Sequence, residues 1–176
     1  MSIVRLDKVH AGARGNIESV VVYEDDTYAA AKDNYANGLF VTLGPIDEGG
    51  YGREVHASSP TTADTATGEI LLVHAPELSY SVETPISDFV NEANDVVRAY
   101  YLTEGDVFTF TDGLLPDGVA VGDVLVAGKD GALVAYATGE YRYAFEVIEN
   151  SGNELTMKEN AHAVKVVKDY TTTAGA

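Results

Sequence analysis

The chain has 176 residues, with 28 Asp and Glu against 11 Lys and Arg, a formal charge of −17, and 0 Cys and 0 Trp. Without cysteine there is no disulfide framework, no thiolate catalysis and no Cys-ligated zinc. The charge argues against binding a nucleic-acid backbone or an anionic membrane, since both attractions come from clustered Lys and Arg.

The hydrophobic fraction of 45% is that of a globular chain, and the length suits one domain or two small ones. The opening Met1-Ser2-Ile3-Val4-Arg5-Leu6-Asp7-Lys8 has no apolar h-region, so no signal peptide is expected. The longest apolar run, Ile70 to Val73, is strand-sized and far short of the roughly 20 residues of a membrane helix.

Ser2 to Gly15 mixes Ile3, Val4, Leu6 and Val9 with Arg5, Lys8 and Arg14, net basic ahead of an acidic body, and reads either as an extended N-terminal arm that docks on a partner or as a frayed or self-packed terminus. Residues 16–83 read as a β-rich part. Ile17 to Tyr23 is a β-branched strand. Tyr28 to Tyr35 is a helical turn or an irregular segment, and Asn37-Gly38 is a turn. Leu39 to Leu43 is a buried strand closed by Gly44-Pro45. Residues 44–69, with Gly49, Gly50, Gly52 and Pro60, read as one long loop. Glu69 to His74 is a strand whose near-continuous apolarity predicts burial on both faces.

Thr84 suits a helix cap and Pro85 the first helical position. Ile86, Phe89, Val90, Ala93, Val97, Tyr100 and Tyr101 then recur at spacings of three and four. The spacing predicts a prominent amphipathic helix over 85–101, ended by Gly105. Residues 84–170 thus combine that helix with a β module. Asp106 to Thr111 alternates as a half-buried strand. Val119 to Val126 and Ala132 to Ala137 flank the hairpin signal Gly128-Lys129-Asp130-Gly131. Tyr141 to Ile148 and Leu155 to Met157 flank a second, at Asn150 to Asn153, and His162 to Val167 is a last strand before a mobile tail, 171–176. The regular turn spacing predicts a small barrel or sandwich here. The expected class is mainly β (α+β), with one helix and the arm.

Motifs for chemistry are sparse. Asp25, Asp26, Asp112, Asp117, Asp123 and Asp130 lie near turns, where Asp serves its own backbone, and no EF-hand pattern is present. His10, His56, His74 and His162 lack H-x-x-x-H spacing, so no metal or other cofactor is expected. There is no G-x-S-x-G elbow and no S-x-x-K. Asp47 and Glu48 form a carboxylate pair of the kind glycosidases use, but a sugar cleft wants aromatics and Trp is absent. The loop from Glu48 to Glu54 lacks the spacing and the Lys of a phosphate cradle. Tyr100-Tyr101 and Tyr141-x-Tyr143 suit either strands or an interface.

The arm Ser2–Gly15, the stretch Gly38-Leu39-Phe40-Val41-Thr42-Leu43-Gly44 and the module with Gly122-Asp123-Val124-Leu125-Val126, in that order, resemble the capsid decoration (cement) proteins of tailed bacteriophages. The resemblance implies a non-enzymatic virion protein, made in the host bacterial cytoplasm, bound outside the capsid to the major capsid protein and often trimeric. It implies no catalytic residues. The arm residues Ile3, Val4, Arg5, Leu6, Lys8 and Val9 are the expected capsid contact, by strand addition. The alternatives are a head-fibre or tail component, and a β-barrel enzyme or a module binding carbohydrate or another ligand.

Overall fold

A computed structural model describes residues 4–9, 16–47, 54–62, 68–76, 89–150 and 160–171. Eleven strands order the chain: β1 (Val4–Lys8), β2 (Ile17–Val22), β3 (Phe40–Ile46), β4 (Val55–Pro60), β5 (Leu71–Val73), β6 (Val97–Tyr101), β7 (Val107–Thr111), β8 (Val124–Ala127), β9 (Leu133–Ala135), β10 (Glu140–Asn150) and β11 (Ala161–Thr171). They form two bodies of hydrogen bonds. One is a closed five-stranded barrel, β2-β4-β3-β5-β6; the other is a six-stranded sheet, β1-β7-β11-β10-β8-β9. The mainly β class holds. The barrel, however, is built from residues 17–101 rather than from the C-terminal module, which is an open sheet.

Alternation along the barrel strands explains how the two bodies join. Val20 and Val22 of β2, Val41 of β3, Leu71 and Val73 of β5, and Val97 and Ala99 of β6 cluster as one core. Their neighbours Phe40, Ile70 and Leu72 point the other way and join Phe108, Phe110, Leu125, Phe145 and Val164 of the sheet in a second core. A strand turns successive side chains to opposite faces, so the β3–β5 wall is apolar on both sides because both sides are covered. Ile70, Leu71, Leu72 and Val73 are all 0% exposed, as the continuous run predicted. Phe40 is the centre of the contact, with its ring 4.8 Å from that of Phe145 and 6.2 Å from that of Phe110.

The expected helix over 85–101 is not formed. Residues 85–88 lie outside the described residues. Asn91 bridges to Tyr35, Asn94 takes a left-handed φ of 66°, and Val97–Tyr101 is β6. The β6 strand closes the barrel by antiparallel pairing with β2, Val20 opposite Val97 and Ile17 opposite Tyr100. Val97 and Tyr101, both at the helical spacing, also alternate with Ala99 on one face of a strand. β-branched and aromatic residues suit a strand, and the Asp95 carboxylate accepting the Glu92 N–H at 2.9 Å makes a local turn in place of a helical one. Among the described residues, helix is confined to the one-turn 3-10 segments Asp112–Leu114 and Lys129–Gly131, and no helix is long and apolar enough to cross a membrane.

Three further expectations change. The span 44–69 is not one loop, because β4 lies within it and pairs in parallel with β2 and antiparallel with β3. β3 also runs through Gly44-Pro45 instead of ending there. The expected partner of β10, Leu155 to Met157, lies outside the described residues; β10 pairs with β11, Phe145 opposite Val166. The tail 172–176 also lies outside them.

Polar groups at the barrel end are satisfied by a buried amide relay. Asn37 accepts the Ala75 N–H and donates to the Ala75 carbonyl, both at 2.9 Å, so its side chain stands in for a strand. Asn91 donates to the Tyr35 carbonyl and to the Asn37 amide oxygen.

Two stability predictions follow from these contacts. Phe40→Ala removes the ring packed against those of Phe110 and Phe145 and is expected to cost about 3–5 kcal/mol in urea unfolding. Asn37→Ala leaves the buried Ala75 groups without their partner and is expected to cost about 1–3 kcal/mol per stranded group, read in the same titration.

Candidate functional site

The expected contact residues are placed unevenly. Ile3 lies outside the described residues. Val4 through Lys8 do not stand free as an extended arm: they form β1, the outer strand of the sheet, with Val4 opposite Phe110 and Leu6 opposite Phe108. Val4 is 3% exposed and belongs to the core between sheet and barrel, while Leu6 and Val9 pack partly against it. Its carbonyl lies 3.2 Å from His74 Nε2, which ties β1 to the barrel. Gly38, at a φ of +96°, passes so close that a Cβ there would sit 2.7 Å from Val4 Cγ2. Arg5 pairs with Asp7 and reaches Thr109 Oγ1 at 3.4 Å, and Lys8 is exposed beside a bulge in the ladder. The apolar half of this segment is therefore spent on its own fold, and Arg5 and Lys8 are what it can offer a partner.

The histidines of the described residues all have structural company. His56 Nδ1 is 3.1 Å from the Gly44 carbonyl, and His74 stacks edge-on to Tyr100. His162, 8% exposed, lies 3.3 Å through Nε2 from Asp112 Oδ1, in a cleft of about 290 Å³ also lined by Asp117, Asn150 and Asn160. Its Nδ1 is buried without a hydrogen-bond partner. Among the described residues lining that cleft there is no Ser or Thr hydroxyl. His10 lies outside the described residues, as do Arg14, Glu48 and most of the glycine loop. Asp47, the other half of the expected carboxylate pair, accepts from Tyr23 Oη at 3.2 Å.

Two of the turn aspartates, Asp25 and Asp123, serve the backbone. Asp25 accepts from the hydroxyl and N–H of Thr27, and those bonds hold its carboxyl below the usual carboxylate range. Asp123 accepts the Ala120 N–H at 2.8 Å. Among the described residues no three His, Asp or Glu side chains converge as a metal site.

The densest polar cluster sits where sheet meets barrel. Glu69, just ahead of β5, accepts from the Tyr143 hydroxyl and pairs with Arg142 of β10. The Arg142 guanidinium and the Lys168 ammonium lie 5.7 and 5.5 Å from the centre of the Tyr143 ring, within cation–π range. Burial, reinforced by the Glu69 carboxylate, pushes the Tyr143 phenol up to about 12. The Tyr35 phenol, buried in the barrel core near Asp95, is raised further. These groups hold the two bodies together and line no described cleft.

What composition did not reveal is a pair of open edges. Closure removes the barrel's edges, but the sheet ends in β1 on one side and β9 on the other. Beside β9 runs an apolar cleft of about 390 Å³ lined by Leu39, Leu114, Leu115, Leu133 and Val134. The residues were visible as Leu114-Leu115-Pro116 between two Asp-Gly turns, an apolar run outside any predicted strand. No family model, curated protein or solved structure matches the chain.

The raised phenols set an alkaline limit. A tyrosine that stays neutral to about pH 12 in the fold, but ionises near 10 when unfolded, contributes stability below pH 10 that is lost as pH climbs towards 12. Urea unfolding at pH 8, 10 and 11 is expected to show that decline, and Tyr143→Phe is expected to flatten part of it.

Proposed function

We propose that the chain is a non-enzymatic structural protein of a tailed-phage head, bound to the outside of the capsid through the major capsid protein and stabilising the shell. The observation that carries this reading is a sheet whose two outer strands, among the described residues, each pair on one side only, mounted on a closed, filled barrel. Exposed backbone edges recognise extended segments of other chains. They do not by themselves convert a small molecule. Of the described polar groups, Asp25 and Asp123 serve turns and Glu69, Arg142 and Tyr143 serve the barrel–sheet contact. The order of parts that resembles capsid decoration proteins supplies the class of partner, and with it the homo-oligomer, a trimer.

The physics of a shell suits such a protein. Many copies on a lattice gain avidity from individually modest contacts, and an exterior of charge −17 keeps particles apart. The contact through the N-terminal segment is then made by β1 as a folded edge, with Arg5 and Lys8 outermost. Removing residues 2–14 would take the buried Val4 with it, so charge reversal is the cleaner probe.

The protein is expected to co-sediment with intact shells of its virus and to raise their melting temperature. Arg5→Glu with Lys8→Glu is expected to weaken that binding about tenfold, about 1.4 kcal/mol, and to change its salt dependence. Shells that leave all the protein in the supernatant overturn the reading.

A further inference from the structure

We infer that β9 is a docking edge for an extended, basic segment of another protein. The ladder phase decides which of its groups are free. The Gly128 N–H donates to the Ala132 carbonyl at 2.8 Å and the Tyr136 N–H to the Val124 carbonyl at 2.9 Å. In an antiparallel pair, residues alternate between bonded and non-bonded positions. Ala132, Val134 and Tyr136 therefore face β8, and Leu133 and Ala135 turn their N–H and C=O outward. Neither has a backbone partner among the described residues.

The two edges of the sheet are treated differently. β1 carries Arg5, Asp7 and Lys8 and a bulge between Leu6 and Lys8, which discourage backbone pairing, so a contact at that edge is made by its charged side chains. β9 reads Leu133-Val134-Ala135, with no charge, no proline and Val134 40% exposed. Among the described residues it is an edge left open over Val134 and Ala135, whereas Leu133 is 5% exposed.

Two adjoining clefts define the occupant. The apolar cleft of about 390 Å³ flanks Leu133 and Val134; a second, of about 300 Å³, flanks Ala135 and Tyr136, and Pro116 lines both. The second holds Asp117 and Asp123, and no basic side chain is among the described residues lining it. Residues two apart on a strand share a face and lie about 6.8 Å apart. An added strand with an apolar residue followed two positions later by Lys or Arg places one side chain in each cleft. The cation answers the two carboxylates. A second copy of this chain is a poor occupant, because its charge of −17 repels the same surface. This assignment stands apart from shell binding and is tested without shells.

The probe is a labelled peptide, Val-Thr-Lys-Thr-Val-Thr-Lys, titrated with the full chain and followed by fluorescence anisotropy. A counterpart with Glu for each Lys is run beside it. The basic peptide is expected to bind saturably and the acidic one not at all. Ala135→Pro removes an outward N–H that the fold does not use, and is expected to weaken binding about tenfold or more, since main-chain bonds carry affinity at an augmented edge. Asp117→Asn with Asp123→Asn keeps the Ala120 contact and is expected to weaken binding and reduce its salt dependence, a readout that survives if the proline variant does not fold. Equal binding of the two peptides, or undiminished binding by a folded Ala135→Pro, overturns the inference. So does a dimer in sedimentation that Ala135→Pro converts to monomer, which would give the edge to a second copy.

Discussion

The structure depends on one shared wall. β3 and β5 belong to the barrel by their hydrogen bonds, but Phe40, Ile70 and Leu72 belong to the sheet by their burial. A closed barrel ordinarily turns its outer face to water; here one flank is apolar enough to serve as the second layer under an open sheet. Without that flank, β7, β10 and β11 would expose Phe108, Phe110 and Phe145. Without the sheet, Phe40 would stand on a bare barrel. Gly131 shows how close the fit is: at a φ of +73°, a Cβ there would lie 2.5 Å from the Phe40 carbonyl oxygen.

Polar interactions follow the same division of labour. The Glu69, Arg142 and Tyr143 cluster crosses the junction at its margin, and His74 reaches from the barrel side to the carbonyl of Val4. Each draws on a titratable side chain that might have suggested chemistry, and each is committed to holding the two layers in register. What the fold leaves uncommitted is backbone, at the outer strands. On the proposed reading, those outer strands are where other chains would be met, and the surface charge and edge protection around them then matter more than any single ionisable group described above.

Much of the architecture could be read from the residues. The four apolar positions from Ile70 to Val73 predicted a strand covered on both faces, and the turns at Asn37-Gly38 and Gly128 to Gly131 lie where their residue types require them. Two errors share a cause. Val97 and Tyr101, four apart, satisfy a helical spacing and a strand alternation at once, and only the pairing with β2, nearly 80 positions away in the chain, decides between them. β4 was lost because Ser58, Ser59 and Pro60 look like loop residues, yet Ser58 is buried and donates to the Val21 carbonyl. The N-terminal contact residues were chosen by composition, which cannot distinguish an apolar arm reserved for a partner from one that completes its own sheet. The β9 edge left no mark in composition, since an open edge is a property of topology.

The placement of β1 has a consequence in time. Its partner β7 begins 99 residues after β1 ends, from Lys8 to Val107, so a chain emerging from the ribosome carries its first strand unpaired while the whole barrel is made. Long-range pairing of this kind is slow and leaves apolar segments exposed. The charges interleaved along β1, Arg5, Asp7 and Lys8, are the kind of gatekeepers that keep such a segment soluble while it waits. In the finished fold the same strand joins the two ends of the sequence: the sheet cannot be completed from the C-terminal half alone.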